Sequence, residues 1–537
     1  MKTAALLSLS LGSLAASAGA QTAPQTPPIT VTIQPQARQT IRGWGLYPAE
    51  YDRVPRRFAD GNIADNDRTW LPPQGATPGP LHKAIASLGF TIARVSFVPD
   101  LSDGPGKLNA DRMQDLTDHL AVLRALGITR YVVCNWTPPA WMKAPDRVPF
   151  GTYKPTGADK PRHQSLDPQF ADGQGYDYAD FLVQVLGELK KRGFAAPEAI
   201  SIQNEPNEGV PYYGAVYTDT PAQKALYRAV IKELRAKLDA TRDPWMGGIA
   251  LWASETSSFG GLQELLGAPS PQGFAEMKAD PAFERAVGGF SWHTYVTAGN
   301  TGELNAALGA YPNKLKWMSE FSPTGGMGVR GADYGQPDGS LKPYEKESGS
   351  WPLNWTLTAL RRMNGDLVDL RADGWFFWRG WRSNNGGYQD EQHLVYDGSN
   401  GPQPSKLGFV FQKLWTTVRP GWRLQTVSCS APELRTDNAA AIQARNGNEW
   451  SAPVDVTAFG NPAGTASALL LVNPYRDVKT LAGVAGLKGS RAQVFLTTAS
   501  DDMKAQGERA VKNGDLDGVL TLPPFSVTFV SSGVNIR

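Results

Sequence analysis

The sequence has 537 residues, with 53 Lys and Arg against 51 Asp and Glu, and its 41% hydrophobic content is that of a globular protein. That length exceeds one ordinary domain and predicts a large domain with a smaller one beside it. The near-neutral balance argues against a nucleic-acid binder that relies on a basic face, and points to an uncharged or modestly charged partner.

Residues 1–20 read as a targeting leader: Lys2, an apolar run over 4–16, and Ala18-Gly19-Ala20 as a small-residue cleavage site near Ala20. The run is too short and too rich in small residues for a good membrane span, and no later stretch reaches 18 apolar residues. The expectation is a secreted, soluble chain with no membrane span, acting as a monomer. Residues 21–28 form a Pro-rich tether. Residues 29–34 then alternate apolar and polar, as a strand with one buried face does. In Gly43-Trp44-Gly45 the glycines are expected to turn the backbone sharply into the next unit. Residues 50–80 have weak periodicity and read as loop-rich.

From 81 onward helix and strand alternate. A helix over 81–88 stops at Gly89 before a strand over 90–95. Met113, Leu116, Leu120 and Leu123 mark a helix closed by Gly127, and 131–134 is the next strand. A helix over 178–191 leads to a strand over 199–202, and Thr220-Pro221 supplies a cap and first-turn proline for a helix to about 238. Strands over 248–253, 290–295, 315–319 and 375–378 follow, and one near 42–46 makes eight. Strands separated by helices imply parallel pairing, and eight imply closure, so 42–418 is expected to be a (β/α)8 barrel ending in a helix over 405–418. Beyond 419, short strands over 422–427, 439–444, 467–472, 491–497, 518–522 and 526–530 predict an antiparallel β-sandwich, which the strand within 29–41 could complete. Cys134 and Cys429 fall in different domains by this reading, and no disulfide between them is expected.

Two glutamates end barrel strands. Glu205, in Gln203-Asn204-Glu205-Pro206, ends the fourth, and Glu320, in Met318-Ser319-Glu320-Phe321, ends the seventh. The carboxyl ends of barrel strands carry the chemistry in such folds, and strands four and seven face one another across the mouth. A pair of this kind suits glycoside cleavage, in which one carboxylic acid protonates the leaving oxygen and one carboxylate attacks the sugar carbon. Carboxyl groups about 5 to 5.5 Å apart imply retention of configuration, and more than about 6.5 Å implies inversion. Either glutamate alone reads equally well as a solvated turn residue.

Asn204-Glu205-Pro206 and Ser319-Glu320 resemble the signatures of the large clan of retaining glycosidases with eightfold barrels. More narrowly, Gly43-Trp44-Gly45, the segment from Trp136 through Trp141 to Lys143, Ser291-Trp292-His293-Thr294-Tyr295, Trp378 and Leu522-Pro523-Pro524-Phe525-Ser526-Val527 resemble glycoside hydrolase family 30. The resemblance implies Glu205 as acid/base and Glu320 as nucleophile, with Arg94 holding the nucleophile and Asn204 bonding the sugar 2-hydroxyl. Tyr295 is expected to orient Glu320, and Trp378 to offer a platform for the sugar. Trp136 and Trp141 could wall the cleft or simply pack the core. Trp44 joins the list of supporting residues.

His293 reads as a polar residue of the barrel mouth rather than a ligand, since only 5 His occur and none forms a two-His helical motif; no metal is expected. No dinucleotide or phosphate-loop glycine motif occurs, so no cofactor is inferred. Arg379 and Arg382 could grip a carboxylated sugar or pair with Asp390 or Glu391 of the chain itself. The long Gly-rich stretch over 322–350 is expected to be functional or disordered. The leading expectation is a polysaccharide hydrolase acting on xylan, β-1,6-galactan or β-glucan. The alternatives are an exo-acting β-glycosidase of glucosylceramidase or β-xylosidase type, and a non-catalytic carbohydrate-binding barrel.

Overall fold

The computed structural model describes residues 29–53, 70–144, 165–171, 173–208, 215–296, 301–323, 351–382, 393–430, 454–473 and 478–534. The expected leader and tether, the strand expected over 439–444, and most of the stretch over 322–350 lie outside these residues.

Eight parallel strands close a barrel: Gly43–Tyr47, Ile92–Phe97, Tyr131–Asn135, Ala199–Ser201, Ala250–Ser258, Gly289–Val296, Leu315–Glu320 and Gly374–Trp378. Each stands where the apolar runs predict it, although the fifth continues to Ser258, well past the expected end at 253. Helices Pro80–Ser87, Ala110–Ala125, Tyr178–Lys191, Pro221–Ala240, Thr301–Gly309 and Trp351–Asn364 connect successive strands, three short helices fill the link between the fifth and sixth, and Lys406–Thr417 follows the eighth. Their starts follow ordinary capping chemistry. Thr220 accepts the amide of Gln223 and Asn109 that of Arg112, each satisfying one of the donors left over at a helix start.

Strand residues alternate in and out of the barrel. Ile92, Val132, Ala199, Trp252, Trp317 and Phe376 point inward and pack as one closed cluster. Gly43 and Gly45 belong to that layer. A Cβ on Gly45 would stand 1.9 Å from Cδ1 of Phe376, and one on Gly43 2.4 Å from Cδ1 of Ile92. The expectation of a sharp turn at these glycines is thus corrected: both lie within a strand, neither at positive φ, and they make room for large interior rings. Two residues further along the second, third and fourth strands the inward positions are Arg94, Cys134 and Ser201, joined by His293 of the sixth, all buried. The apolar plug is therefore the floor of a polar layer.

The second unit is a single ten-stranded sheet that includes Ile29–Thr40. That first strand pairs antiparallel with Arg423–Cys429 and parallel with Lys479–Ala485, so the sheet is mixed rather than purely antiparallel. It curls until Asp515–Leu516 at one edge touches Lys479–Ala485 beside the other. Period-two alternation serves both faces. Leu469 and Leu471 enter the sheet's own core with Val31, Leu481 and Val530, while Ala468, Leu470 and Val472 join the barrel's core. Four strands, Asp455–Gly460, Lys479–Ala485, Lys504–Lys512 and Asp515–Leu516, fall outside the expected ones. Lys504–Lys512 is mostly exposed and carries no apolar alternation; it is defined by its pairing with Arg491–Thr497.

The two units are joined by buried polar contacts as well as apolar ones. Arg361 Nε donates to Asp455 Oδ2 at 3.0 Å, and Asn364 Nδ2 to the Val456 carbonyl at 3.0 Å. Trp44 faces outward into this junction. Its Nε1 donates to the Val418 carbonyl at 2.5 Å and its ring meets Phe459 edge-on at 6.0 Å. Trp44 is fully buried there, so of the substrate-binding or supporting roles expected for it, the structure gives it a supporting one, holding the two units together.

Candidate active site

Three glutamates are buried in the barrel mouth: Glu205 just past the fourth strand, Glu255 within the fifth, and Glu320 at the end of the seventh. Glu205 and Glu255 have left-handed backbone, φ 45° and 54°. Non-glycine residues adopt this conformation at a cost of order 1–3 kcal/mol, which the surroundings must repay. The Glu205 amide donates to the Glu255 carbonyl at 3.0 Å, and the Asn204 amide to the Asn135 carbonyl at 2.8 Å. These bonds fix where both side chains emerge.

Arg94 is the hub. Its Nη1 donates to Glu320 Oε2 at 2.5 Å, its Nη2 to Asn204 Oδ1 at 2.7 Å and to Glu255 Oε1 at 3.0 Å, and its Nε to Glu255 Oε1 at 3.2 Å. Glu320 Oε1 accepts the Tyr295 hydroxyl at 2.8 Å. Glu255 Oε2 accepts the Ser201 hydroxyl. His293 Nδ1 lies 3.0 Å from Glu205 Oε1 and 4.0 Å from Glu320 Oε1, while its Nε2 is 4.0 Å from Glu255 Oε1. One ligand-capable atom each of Glu205, His293 and Glu320 falls within 4.8 Å of the others.

The electrostatics divide the carboxyls. Burial pushes Glu205 above the ordinary carboxylate range; the hydrogen bond and charge of His293 oppose this, and the negative charge of Glu320 adds to it. Burial also acts on Glu255, but Arg94 and His293 outweigh it and hold that carboxyl below its usual value. Burial disfavours the His293 imidazolium, yet Glu320, Glu205 and Glu255 around it raise its pKa to about 9. Burial likewise opposes the charge on Arg94, and Cys134, Glu320 and Glu255 more than offset it. Converging Glu205, His293 and Glu320 are also groups that can ligate a metal. Both oxygens of Glu320 are already engaged by Arg94 and Tyr295, and the guanidinium puts a positive charge where a cation would need an open carboxylate.

Around this cluster, Trp378 packs on Tyr47 at 4.1 Å and on Trp136 at 5.4 Å, and Arg94 lies 5.4 Å from the Trp136 ring. Trp378 is buried in this aromatic cluster at the edge of the barrel's core, with 8% of its surface exposed. Trp141 stands apart, against Phe170 at 5.3 Å and Tyr176 at 6.1 Å. Arg379 is buried, with Nη1 3.6 Å from Glu50 Oε1 and its guanidinium 4.7 Å from the Trp378 ring. One carboxylate near it, Glu50, thus belongs to the loop after the first strand; Asp390 and Glu391 lie outside the described residues. Arg382 is half-buried where the described segment ends.

The structure therefore brings together Glu205, Glu320, Asn204, Arg94, Tyr295, His293, Trp378 and Trp136, and separates Trp44 from them. Sequence reasoning missed Glu255. The same signal that marks Glu205 and Glu320, an apolar strand ending in glutamate, is present in Leu251-Trp252-Ala253-Ser254-Glu255.

No protein-family model matches the sequence, and no curated protein matches it in sequence. Solved structures do match in fold. An endoxylanase of glycoside hydrolase family 30 from Clostridium papyrosolvens C71 is 16% identical, with a TM-score of 0.62 over 94% of this chain and 100% of that one. A conserved exported protein from Bacteroides fragilis is 15% identical, with a TM-score of 0.65 over 94% and 100%. An endo-β-1,6-glucanase is 17% identical, with a TM-score of 0.56 over 94% of each chain. At such identities the likeness is one of fold, a barrel with an attached curled sheet like that of family 30 structures, and function must be argued from the site.

Proposed function

We propose that the chain is a retaining glycoside hydrolase that cleaves β-linkages in a polysaccharide, with Glu205 as acid/base and Glu320 as nucleophile. The observation that carries this reading is the closeness of the two carboxyls: one oxygen of Glu205 and one of Glu320 lie within 4.8 Å of each other, which favours the closely spaced pair of a retaining enzyme over the wider pair that holds an inverting water between its carboxyls. The names of two fold neighbours, an endoxylanase and an endo-β-1,6-glucanase, support a polysaccharide substrate. The leader over 1–20 supports export.

In this reading Glu205 enters the reaction protonated because burial and the Glu320 charge both favour its neutral form. It donates to the glycosidic oxygen as Glu320 attacks the anomeric carbon. Arg94 and Tyr295 donate to the two oxygens of Glu320 and hold its carboxylate in place for attack. Esterification of Glu320 removes its charge, which lowers the proton affinity of Glu205 and converts it into the base that activates water for the second displacement. Asn204 Oδ1 is held by Arg94, while its buried Nδ2 has no partner among the described residues and is a donor for the sugar 2-hydroxyl. Trp378 serves as the platform for the sugar ring.

The test is hydrolysis of a panel of purified xylan, β-1,6-galactan and β-glucan substrates, with product sizes determined by mass. Hydrolysis that disappears in Glu320→Ala supports the reading, and long products distinguish internal from terminal cleavage. Full activity in both Glu205→Gln and Glu320→Gln would remove the assignment.

A further inference from the structure

A second cavity, of about 600 Å³, lies outside the barrel mouth. It is bounded by Arg42, which precedes the first strand, Lys316, the second residue of the seventh, and Arg371 and Asp373, which precede the eighth. It therefore belongs to the amino-terminal end of the barrel. Lys316 and Glu320 stand four residues apart on one strand, roughly 13 Å at ~3.3 Å per residue.

Two features set this cavity apart from an ordinary solvated surface. The first is charge. Across the whole chain cations and anions balance, 53 to 51. The cavity lining has Arg38, Arg42, Lys316 and Arg371 against Asp373 alone. Asp373 is already engaged, since Oδ1 accepts the Lys316 amide at 3.2 Å and Oδ2 lies 3.5 Å from Arg42 Nε. Burial lowers the Lys316 pKa, Asp373 opposes this and the fields of Arg371 and Arg42 add to it, while Lys316 Nζ donates one hydrogen bond to the Tyr311 carbonyl at 3.2 Å. The second is shape. Gly302, Ala306 and Gly309 leave the opposite wall, one face of helix Thr301–Gly309, largely bare, with Asn305 as its polar side chain, and a Cβ on Gly309 would meet nothing within 4 Å. The volume is within the range of small-ligand sites.

We propose that this cavity binds an oxyanion-bearing ligand of one or two sugar units in size, held by Lys316, Arg371 and Arg42 against the bare face of the helix. Guanidinium groups pair bidentately with carboxylate and phosphate alike, so a uronic acid and a sugar phosphate share the recognition chemistry. The site is independent of the reaction proposed at the mouth.

Isothermal titration calorimetry of the full chain tests this with three probes: digalacturonate, inorganic phosphate and neutral galactobiose. The expected result is salt-sensitive binding of a charged probe at one site, none by galactobiose, and a loss of about tenfold or more in Lys316→Ala/Arg371→Ala and in Ala306→Trp, which fills the groove from an exposed position. Preference for digalacturonate assigns a carboxylated sugar, and preference for phosphate assigns a phosphate ester. Thermal unfolding and polysaccharide hydrolysis should be unchanged in both variants. Absence of binding by either charged probe up to about 10 mM, or binding that survives both variants, overturns the proposal.

Discussion

The main-chain amide of Glu205 donates to the carbonyl oxygen of Glu255 at 3.0 Å, joining the two residues of the mouth whose backbone is left-handed. Glu255 thereby holds the proposed acid through its backbone, while its carboxylate holds Arg94, which in turn holds Glu320. One residue positions both members of the pair without facing the substrate itself.

Glu255→Gln keeps the backbone bond and removes the charge beneath Arg94. The expected outcome is a fall in kcat of about 10–100-fold, the usual effect of losing a partner that orients a reactive group, with KM nearly unchanged. Steady-state kinetics on the substrate identified by the panel provide the check. A kcat within about twofold of wild type would show that Arg94 needs no such anchor.

His293 governs the proton on Glu205. Its imidazolium, with a pKa of about 9, favours the Glu205 anion and so works against burial. An uncharged residue in its place leaves burial and the Glu320 charge unopposed, and the pKa of Glu205 rises. The acid must be protonated to act, so His293→Asn is expected to move the basic limb of the kcat/KM profile to higher pH. A limb that stays or moves down would mean that His293 is not the charge partner of Glu205.

Trp44 and Trp378 separate structure from catalysis. Trp44→Ala removes a fully buried ring at the junction of barrel and sheet and is expected to cost about 3–5 kcal/mol of stability, with KM unchanged in the folded fraction. Trp378→Ala should do the reverse, raising KM or lowering kcat more than it lowers the melting temperature. Denaturant unfolding beside steady-state kinetics gives both readouts. Equal effects of the two on KM would return Trp44 to the mouth.

The barrel was legible because each apolar run is followed by a helical stretch, and Glu205 and Glu320 stood out as acids at strand ends. Glu255 follows the same rule but was hidden, because the run it ends gives way to Ser254, Thr256 and Ser258 while the strand continues. Ser254 and Thr256 bond to each other, and Thr256 to the Ser258 carbonyl, rather than packing in an apolar face. The place of Trp44 was hidden for a different reason. Whether a tryptophan between two glycines points into a barrel or out of it depends on strand parity, and here parity is set by the distant Phe376, which occupies the space beside Gly45. Lys504–Lys512 carries no apolar alternation at all, and only its partner strand identifies it.

The central claim, retaining cleavage by Glu205 and Glu320, is tested most directly by the anomeric configuration of the first-formed product, followed by proton NMR during the opening minutes of hydrolysis of a β-linked substrate. Oxygens within 4.8 Å predict the β-anomer first, with the α-anomer growing in later by mutarotation. An α-anomer formed first would contradict the account, since it requires water to attack in one step across a gap wider than these two carboxyls leave.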